Sequence, residues 1–189
     1  MKTLQQFILE IQQHPSPATS LKQISGGLKY AVNNGLIKPN SINVDNGGGK
    51  YDLGKDHVES NISGSTLHVH DPFNRSEEHN NSVIKQTKNS SDYVGLHNVL
   101  NVISEPEERT KALETVKSFM KPKDGIAHIT VYEGDKTGKG RISKPDRGCG
   151  SSWQEHRPTS SYIPEIKKVF PDDTHEITHK SGQIIVKQK

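Results

Sequence analysis

The sequence is poor in apolar residues and has a single cysteine. Only 29% of the 189 residues are hydrophobic, against a usual apolar share of about 45–50% with glycine counted, so we expect one thin core. No run of about 18 apolar residues occurs, which argues against a membrane span. Cys149 alone cannot form an internal disulfide, and the N-terminal apolar stretch is interrupted by polar residues, unlike a signal peptide. These features predict a cytoplasmic protein with one domain.

An excess of charge of one sign is also missing. Lysine and arginine number 25 and aspartate and glutamate 22, which gives a net charge of +3. Disordered chains combine low hydrophobicity with high net charge, and here the apolar residues fall into short periodic blocks between turn signals. The balance does not by itself indicate a nucleic-acid-binding protein, which would need a clustered basic face.

Helical and strand-like patterns alternate along the chain. The spacing of apolar residues predicts two N-terminal helices within residues 1–40, the first over residues 2–14 and the second from about Leu21 to Gly35. Residues 41–189 then form the core, in which a capping box of Ser104 with Glu107 is expected to begin a helix. Further helices are predicted over residues 52–60 and 162–170, and strands over residues 41–45, 66–71, 125–133, 174–179 and 183–187 and from residue 93. Residues 134–160 are expected to be a long inserted loop.

This alternation predicts an α/β fold with a largely parallel sheet. The most informative segment is INVDNGGGKYD, in which a strand ends at Asp45 and a glycine turn (Gly47, Gly48 and Gly49) leads into a helix. Glycines there allow backbone N–H groups to approach a ligand closely. The third glycine of a dinucleotide fingerprint is replaced by Asp52, and the ending of a P-loop is absent, which argues against both of those sites.

A second acidic residue, Asp71, follows the next strand, 22 residues after Gly49. A carboxylate at that position accepts the hydroxyl groups of a ribose. Together with the acidic end of the first strand at Asp45, it indicates a site for a nucleoside that carries a cationic amino-acid tail.

These residues resemble the first two motifs of class I S-adenosylmethionine (SAM)-dependent methyltransferases. The blocks LKYAVNNGLI, VDNGGGKYDLG, HVHDPFNRS, HNVLNVI, EERTKALETVKSFMKPKDG, ITVYEG and SSWQEHRPTSSYIPEI also occur in the order found in small methyltransferases of phages and of DNA phosphorothioation gene clusters. The resemblance covers roughly residues 20–189. It implies a single-domain Rossmann-like α/β fold, with a mostly parallel, twisted sheet, helices on both faces and a reversed final strand. It also implies SAM as cofactor and S-adenosylhomocysteine as product.

The resemblance also implies roles for individual residues. The implied cofactor-binding residues are Asp45, Gly47, Gly48, Gly49, Asp71, Pro72, Phe73, His97 and Asn98. The implied catalytic or acceptor-side residues are Asn98, Glu133, Trp153 and Arg157. No metal is predicted, because His68 and His70 lie on one face of a strand but no third ligand is fixed by spacing. The usual third motif, which contacts adenine, is thin or absent between Asp71 and Tyr93.

The methyl acceptor is not identified by any motif. The fourth-strand segment begins His97-Asn98-Val99 instead of the D/N/S-P-P-Y/F of enzymes that methylate exocyclic amines of DNA bases, and Cys149 does not follow a proline. The predicted loop carries six basic residues, Lys136, Lys139, Arg141, Lys144, Arg147 and Arg157, beside Trp153, so a nucleic-acid acceptor is one expectation. Two alternatives stay open: a catalytically silent SAM-binding protein that acts as a sensor, sequestering protein or partner subunit, and a nucleic-acid-binding module without cofactor.

Overall fold

The computed structural model describes residues 22–142 and 153–189, and its centre is a six-stranded sheet. The strands of this sheet are β1 (Ile42–Asn46), β2 (Thr66–His70), β3 (Tyr93–His97), β4 (Ile126–Thr130), β7 (His175–Lys180) and β8 (Gln183–Gln188), and they lie in the order β2-β1-β3-β4-β8-β7. β1 to β4 are parallel, and β8 is antiparallel to both β4 and β7. The predicted parallel sheet with a reversed final strand is confirmed.

Helices cover both faces of this sheet, as predicted. They are α1 (Gly26–Asn33), α2 (Leu53–Asn61), α3 (Glu77–Thr87), α4 (Pro106–Phe119) and α5 (Ile163–Val169), with 3-10 turns at Leu100–Val102 and Thr159–Tyr162. α1 and α2 bury Leu28 and Val58 in one apolar cluster, whereas α4 and α5 bury Leu113 and Ile166 in a second, larger cluster. None of the helices in the described ranges is long and apolar enough to cross a membrane.

One helix was not predicted, and two local predictions are wrong. α3 was not expected, since its buried positions include Asn80 and Thr87 and leave only a weak apolar period. Two strands, β5 (Lys139–Ile142) and β6 (Trp153–His156), form an antiparallel hairpin within the segment predicted as a loop. The capping box at Ser104 does not form, because α4 begins at Pro106 with Glu105 as its N-cap.

The second predicted helix is confirmed as α1, which begins after the Ser25 cap and is followed by Gly35 at φ +66°. The predicted helix over residues 2–14, Cys149, Lys144 and Arg147 lie outside the described residues.

β2 lies at one edge of the sheet, and α3 connects it to β3. An open edge strand exposes backbone groups that can pair with another chain. Two of these groups on β2 are occupied: the Leu67 N–H donates to Glu59 Oε1 (3.2 Å), and His79 Nε2 lies 2.8 Å from the Val69 carbonyl oxygen. Side chains from α2 and α3 therefore protect this edge.

Candidate functional site

The carboxyl ends of the parallel strands meet at one edge of the sheet, where β1 lies between β2 and β3. The chain passes from β1 to β2 on one side and returns to β3 on the other, which opens the crevice where α/β proteins bind ligands. A cleft there is lined by residues of α1 and its cap, of the turn after β1 and of the end of β3. These lining residues include Ser25, Leu28, Asp45, Gly48, His97 and Asn98.

Asp45 is the buried acid of this cleft. Its carboxyl group accepts no hydrogen bond from the part of the chain that the structure describes, and only 7% of the residue is exposed. Burial, followed by the negative charge of Asp71, raises the pKa of Asp45 to about 7. A cationic ligand would restore its charged form, since an opposite charge nearby favours ionisation.

The glycine turn after β1 is packed too closely for side chains. Gly47 (φ +85°) and Gly49 (φ +77°) adopt left-handed conformations that glycine alone takes readily. A Cβ atom on Gly47 would lie 2.4 Å from Val99 Cγ2, and one on Gly48 would lie 2.8 Å from Asp45 Oδ2. The glycines therefore allow the turn to lie directly over the acidic end of β1.

Asp71, at the end of β2, is joined to this turn. Its Oδ2 accepts from the Gly49 N–H (2.8 Å), and its Oδ1 accepts from the backbone N–H groups of Phe73 and Asn74 (both 3.0 Å). The Asn74 side-chain amide donates to the same carboxylate at 3.1 and 3.2 Å. The carboxylate thus joins the glycine turn to the loop that follows β2.

Arg75 connects the two loops from the other side. Its Nε donates to the Gly49 carbonyl oxygen (2.8 Å), and its Nη2 contacts Asp52 Oδ1 at 2.7 Å. Pro72 and Phe73 lie exposed beyond this contact, with 63% of Phe73 accessible to solvent. Sequence reasoning missed Arg75, because its position four residues after Asp71 gave no distinctive signal.

The end of β3 supplies the opposite wall of the cleft. His97 is buried, whereas Asn98 is exposed and adopts a left-handed conformation with φ +58°, which asparagine tolerates better than most residues. The Asn98 N–H donates to the Thr130 carbonyl oxygen (2.9 Å). Both predicted residues therefore lie at the cleft, together with Asp45 and the glycine turn.

Glu133, which was predicted on the acceptor side, is engaged by its surroundings. Its Oε1 accepts from the Thr159 N–H (2.7 Å), and its Oε2 lies 2.8 Å from Lys136 Nζ. These hydrogen bonds, that from Lys136 first, lower the pKa of Glu133 to about 2. A carboxylate with so low a pKa is a weak proton acceptor at neutral pH, and its contacts support a role in fixing the start of the hairpin.

Arg157 belongs to a network of two arginines and two glutamates at the base of the hairpin. Arg157 contacts Glu165 (2.5 Å) and Glu155 (3.3 Å), and its guanidinium carbon lies 3.6 Å from the centre of the Tyr162 ring. Arg109 forms two hydrogen bonds to Glu165 at 2.7 and 3.2 Å and lies 3.5 Å from Glu155. This network joins β6 to α4 and α5.

Trp153 begins β6 and crosses the facing strand. A Cβ atom on Gly140 would lie 1.9 Å from the indole ring, so the absence of a side chain there makes room for it. The indole N–H is buried and has no hydrogen-bond partner within the described ranges. The β5–β6 hairpin therefore carries a buried donor that is without a partner among the described residues.

Most of the basic residues that the structure describes between residues 134 and 160 are paired with acids. Lys136 contacts Glu133, Arg141 contacts Asp135, and Arg157 contacts Glu155 and Glu165. Lys139 has no such ion pair with another described residue. Among the described basic residues of the 134–160 segment, Lys139 is therefore the one left without an acidic partner in the described ranges.

The histidines of β2 do not lie in a cluster of possible metal ligands. His70 Nδ1 lies 2.6 Å from Asn46 Oδ1. Among residues 22–142 and 153–189, no group of three or more His, Cys, Asp or Glu side chains is arranged to hold a metal ion.

The fold is similar to that of solved SAM-dependent methyltransferases. One from Methanosarcina mazei aligns with a TM-score of 0.58 and 12% identity over 84% of this chain and 97% of that chain. A TehB-like enzyme from Corynebacterium glutamicum gives 0.50 and 12% over 91% and 92%. The glycopeptide N-methyltransferase MtfA, solved with S-adenosylhomocysteine, gives 0.51 and 7% over 98% and 97%.

These likenesses define the fold class: the described chain has a Rossmann-like class I methyltransferase fold. No protein-family model matches the sequence, and no curated protein matches it.

Proposed function

We propose that the protein is a SAM-dependent methyltransferase that binds its cofactor in the cleft between the glycine turn and the end of β3. The observation that carries this proposal is the buried carboxyl group of Asp45, which has no hydrogen-bond partner among residues 22–142 and 153–189, beside a turn that excludes side chains. SAM, when bound, supplies a methyl group on a positively charged sulfonium. The likeness of the fold to that of SAM-dependent methyltransferases supports the same assignment.

The described residues fit each part of this cofactor except the adenine. Asp45 would accept from the α-amino group, since a buried carboxylate without a partner gains most from an added cation. The Gly47–Gly49 turn leaves space beside it. Asp71 would accept from the ribose hydroxyls, which would take the place of the Asn74 side-chain amide. Phe73, which is mostly exposed, offers an apolar surface near the base.

The acceptor would enter at the carboxyl end of β3 and β4, where Asn98 is exposed beside His97. Transfer from a sulfonium needs little covalent help, so positioning of the acceptor supplies most of the rate. Asn98 would orient the acceptor by hydrogen bonding, and the hairpin with Trp153 would form the outer wall. The partly buried contacts of Glu155 and Arg157 would hold that hairpin in place.

Calorimetric titration with SAM and with S-adenosylhomocysteine tests the proposal. We expect micromolar binding of both by the wild-type protein and at least a tenfold loss for Asp45→Asn, because the variant keeps the shape of the side chain but removes its charge. Asp56→Asn, an exposed site on α2, is the matched control and should bind like the wild type. Equal affinities of the two variants would refute the role of Asp45.

A second candidate function is a SAM-binding protein that does not transfer the methyl group. The observation that favours it is the internal pairing of Glu133 and Arg157, which leaves neither side chain free to act on an acceptor. Incubation with methyl-labelled SAM and fractions of cellular protein, nucleic acid and small metabolites separates the two. Tight binding without label transfer to any fraction would favour the silent protein.

Four finer predictions stay proposals. A nucleic-acid acceptor would depend on Lys139 together with Lys144 and Arg147, and any such binding should weaken steeply as salt rises. The specific resemblance to methyltransferases of phages and phosphorothioation gene clusters, the boundary at residue 40 and a cytoplasmic location likewise stay predictions.

A further inference from the structure

A line of buried polar side chains runs below the cleft across three strands of the sheet. Tyr93 Oη lies 3.0 Å from His97 Nε2 and 3.0 Å from His128 Nδ1. At one end, His128 Nε2 lies 2.8 Å from Gln183 Oε1, and at the other, His97 Nδ1 lies 3.1 Å from Thr130 Oγ1. We call this set of five side chains the His97 chain.

The two-residue period of β-strands places these groups on one face of the sheet. Tyr93 and His97 lie on the same face of β3 as Gly95, and His128 and Thr130 share that face of β4. The register pairs Gly95 with His128 and His97 with Thr130. A Cβ atom on Gly95 would lie 2.7 Å from His97 Nε2, so the glycine permits the direct contact between Tyr93 and His97.

A backbone carbonyl fixes the direction of the hydrogen bonds. The Ser181 carbonyl oxygen only accepts, and it receives the Gln183 side-chain N–H at 3.3 Å. Gln183 Oε1 must then accept from the Nε2–H of His128. A neutral imidazole carries one N–H, so the Nδ1 of His128 accepts from the Tyr93 hydroxyl.

The same reasoning determines the protonation of His97. Since the Tyr93 hydroxyl donates to His128, its oxygen accepts from the Nε2–H of His97. The Nδ1 of His97 then accepts from the Thr130 hydroxyl. Burial supports neutral groups throughout, because it lowers the pKa of His128 to about 4 and that of His97 well below 6.5, and it raises the pKa of Tyr93 well above 10.

A neutral His97 matters for the charge of the cleft. His97 lines the cleft with Asp45, which is the only carboxylate among its described lining residues. An imidazolium there would repel a cationic ligand and would compete for the negative charge of Asp45. With an uncharged His97 ring, the negative charge of Asp45 is available to pair with the ligand.

We propose that Tyr93, His128 and Gln183 are positioning residues that hold His97 as a neutral imidazole, with its proton on Nε2, at the wall of the cleft. The protonated nitrogen is a property of the protein alone. The benefit to a cationic cofactor rests on the proposed function.

The ¹⁵N chemical shifts of the imidazoles test the proposal directly in the wild-type protein, where His97 should show a single tautomer protonated on Nε2. Gln183→Glu should raise the pKa of His128, because a carboxylate stabilises an imidazolium that donates from both nitrogens. Once His128 is doubly protonated, Tyr93 would donate to His97 Nε2, and the proton of His97 would move to Nδ1. While His128 is neutral, the carboxylate accepts from the same Nε2–H and the His97 tautomer should not change. A folded Gln183→Glu protein in which the His97 tautomer does not follow the protonation of His128 in this way would overturn the proposal.

Tyr93→Phe removes the hydroxyl group that connects His97 to His128 and so interrupts the His97 chain. In the double variant with Gln183→Glu, the His97 shifts should equal those of Tyr93→Phe alone, whereas a purely local effect of residue 183 would persist. We also expect weaker SAM binding in Tyr93→Phe, because His97 then loses the contact that holds its tautomer. If the tautomer and its reversal are found but neither SAM nor S-adenosylhomocysteine binds, the positioning role stands and the cofactor assignment fails. Mixed tautomers in the wild type would refute the positioning role whatever binds.

Discussion

Gly26 and Gly27 are adjacent in α1, yet their surroundings differ completely. A Cβ atom on Gly26 would have no atom within 4 Å, whereas one on Gly27 would lie 2.2 Å from His97 Nδ1. Glycine within a helix costs roughly 1 kcal/mol relative to alanine. At Gly27 the missing side chain allows α1 to lie against the imidazole ring that lines the cleft.

Alanine substitutions at the two glycines should therefore have opposite effects. We expect Gly27→Ala to lower the free energy of unfolding by about 1–3 kcal/mol, because the methyl group overpacks the contact with His97, and to weaken SAM binding. Gly26→Ala should leave the stability unchanged or raise it by up to about 1 kcal/mol. Urea denaturation measures both, and equal effects of the two substitutions would show that the ring contact is not restrictive.

At the scale of elements, the β5–β6 hairpin is held by charges rather than by an apolar face. All four residues of β5 are exposed. The base of β6 is fixed by the contacts of Glu155 and Arg157 with Arg109 and Glu165. Removing one member of a partly buried network leaves its partners without compensation. The position of the hairpin thus depends on residues far away in the sequence.

Arg157→Met should detach this anchor while leaving the cofactor cleft intact. We expect the free energy of unfolding to fall by about 1–3 kcal/mol, the transfer of methyl groups to decrease, and the affinity for SAM to stay within about twofold of the wild type. Chemical denaturation and calorimetry measure these effects. Lys111→Met, at an exposed pair with Glu108, is the control and should behave like the wild type. A matching loss of SAM affinity in Arg157→Met would contradict the separation of hairpin and cleft.

At the scale of the whole molecule, buried titratable groups act in opposite directions on stability. His97 and His128 have lowered pKa values in the folded state, so the unfolded chain binds more protons as the pH falls below about 6.5. Their contribution to stability is lost from there towards pH 4. Asp45 has a raised pKa of about 7, so its burial destabilises the protein progressively as the pH rises from about 4 to 7.

Asp45→Asn should separate these two contributions. Below about pH 4 the variant and the wild type should be similarly stable, because Asp45 is protonated in both states. Between pH 4 and 7 the variant should gain stability over the wild type by roughly 1 kcal/mol per pH unit. Urea unfolding at pH 4.5, 6 and 8 measures this difference. A difference that does not change with pH would show that Asp45 is ionised in the folded protein throughout.

Much of the fold followed from local patterns in the sequence. The β-branched blocks that end at Asp45, Asp71 and His97 predicted parallel strands, and their carboxyl ends necessarily share an edge of the sheet. The glycine turn after Asp45 predicted the candidate cleft for the same reason. α3 escaped prediction because polar residues occupy two of its buried positions, and the hairpin because its strands have no buried apolar face; periodicity detects only apolar faces.

The sequence by itself determined the α/β class and the placing of Asp45, Asp71 and the glycine turn at one edge, because both depend on short-range periodicity and the direction of parallel strands. Only the tertiary structure decided what the charged groups do. Glu133 meets Thr159, and Arg157 meets Glu165, through contacts between elements that no spacing specifies. The protonation of His97 likewise depends on Gln183, 86 residues away in the sequence, because hydrogen bonds follow the packing of the sheet and not the order of the chain.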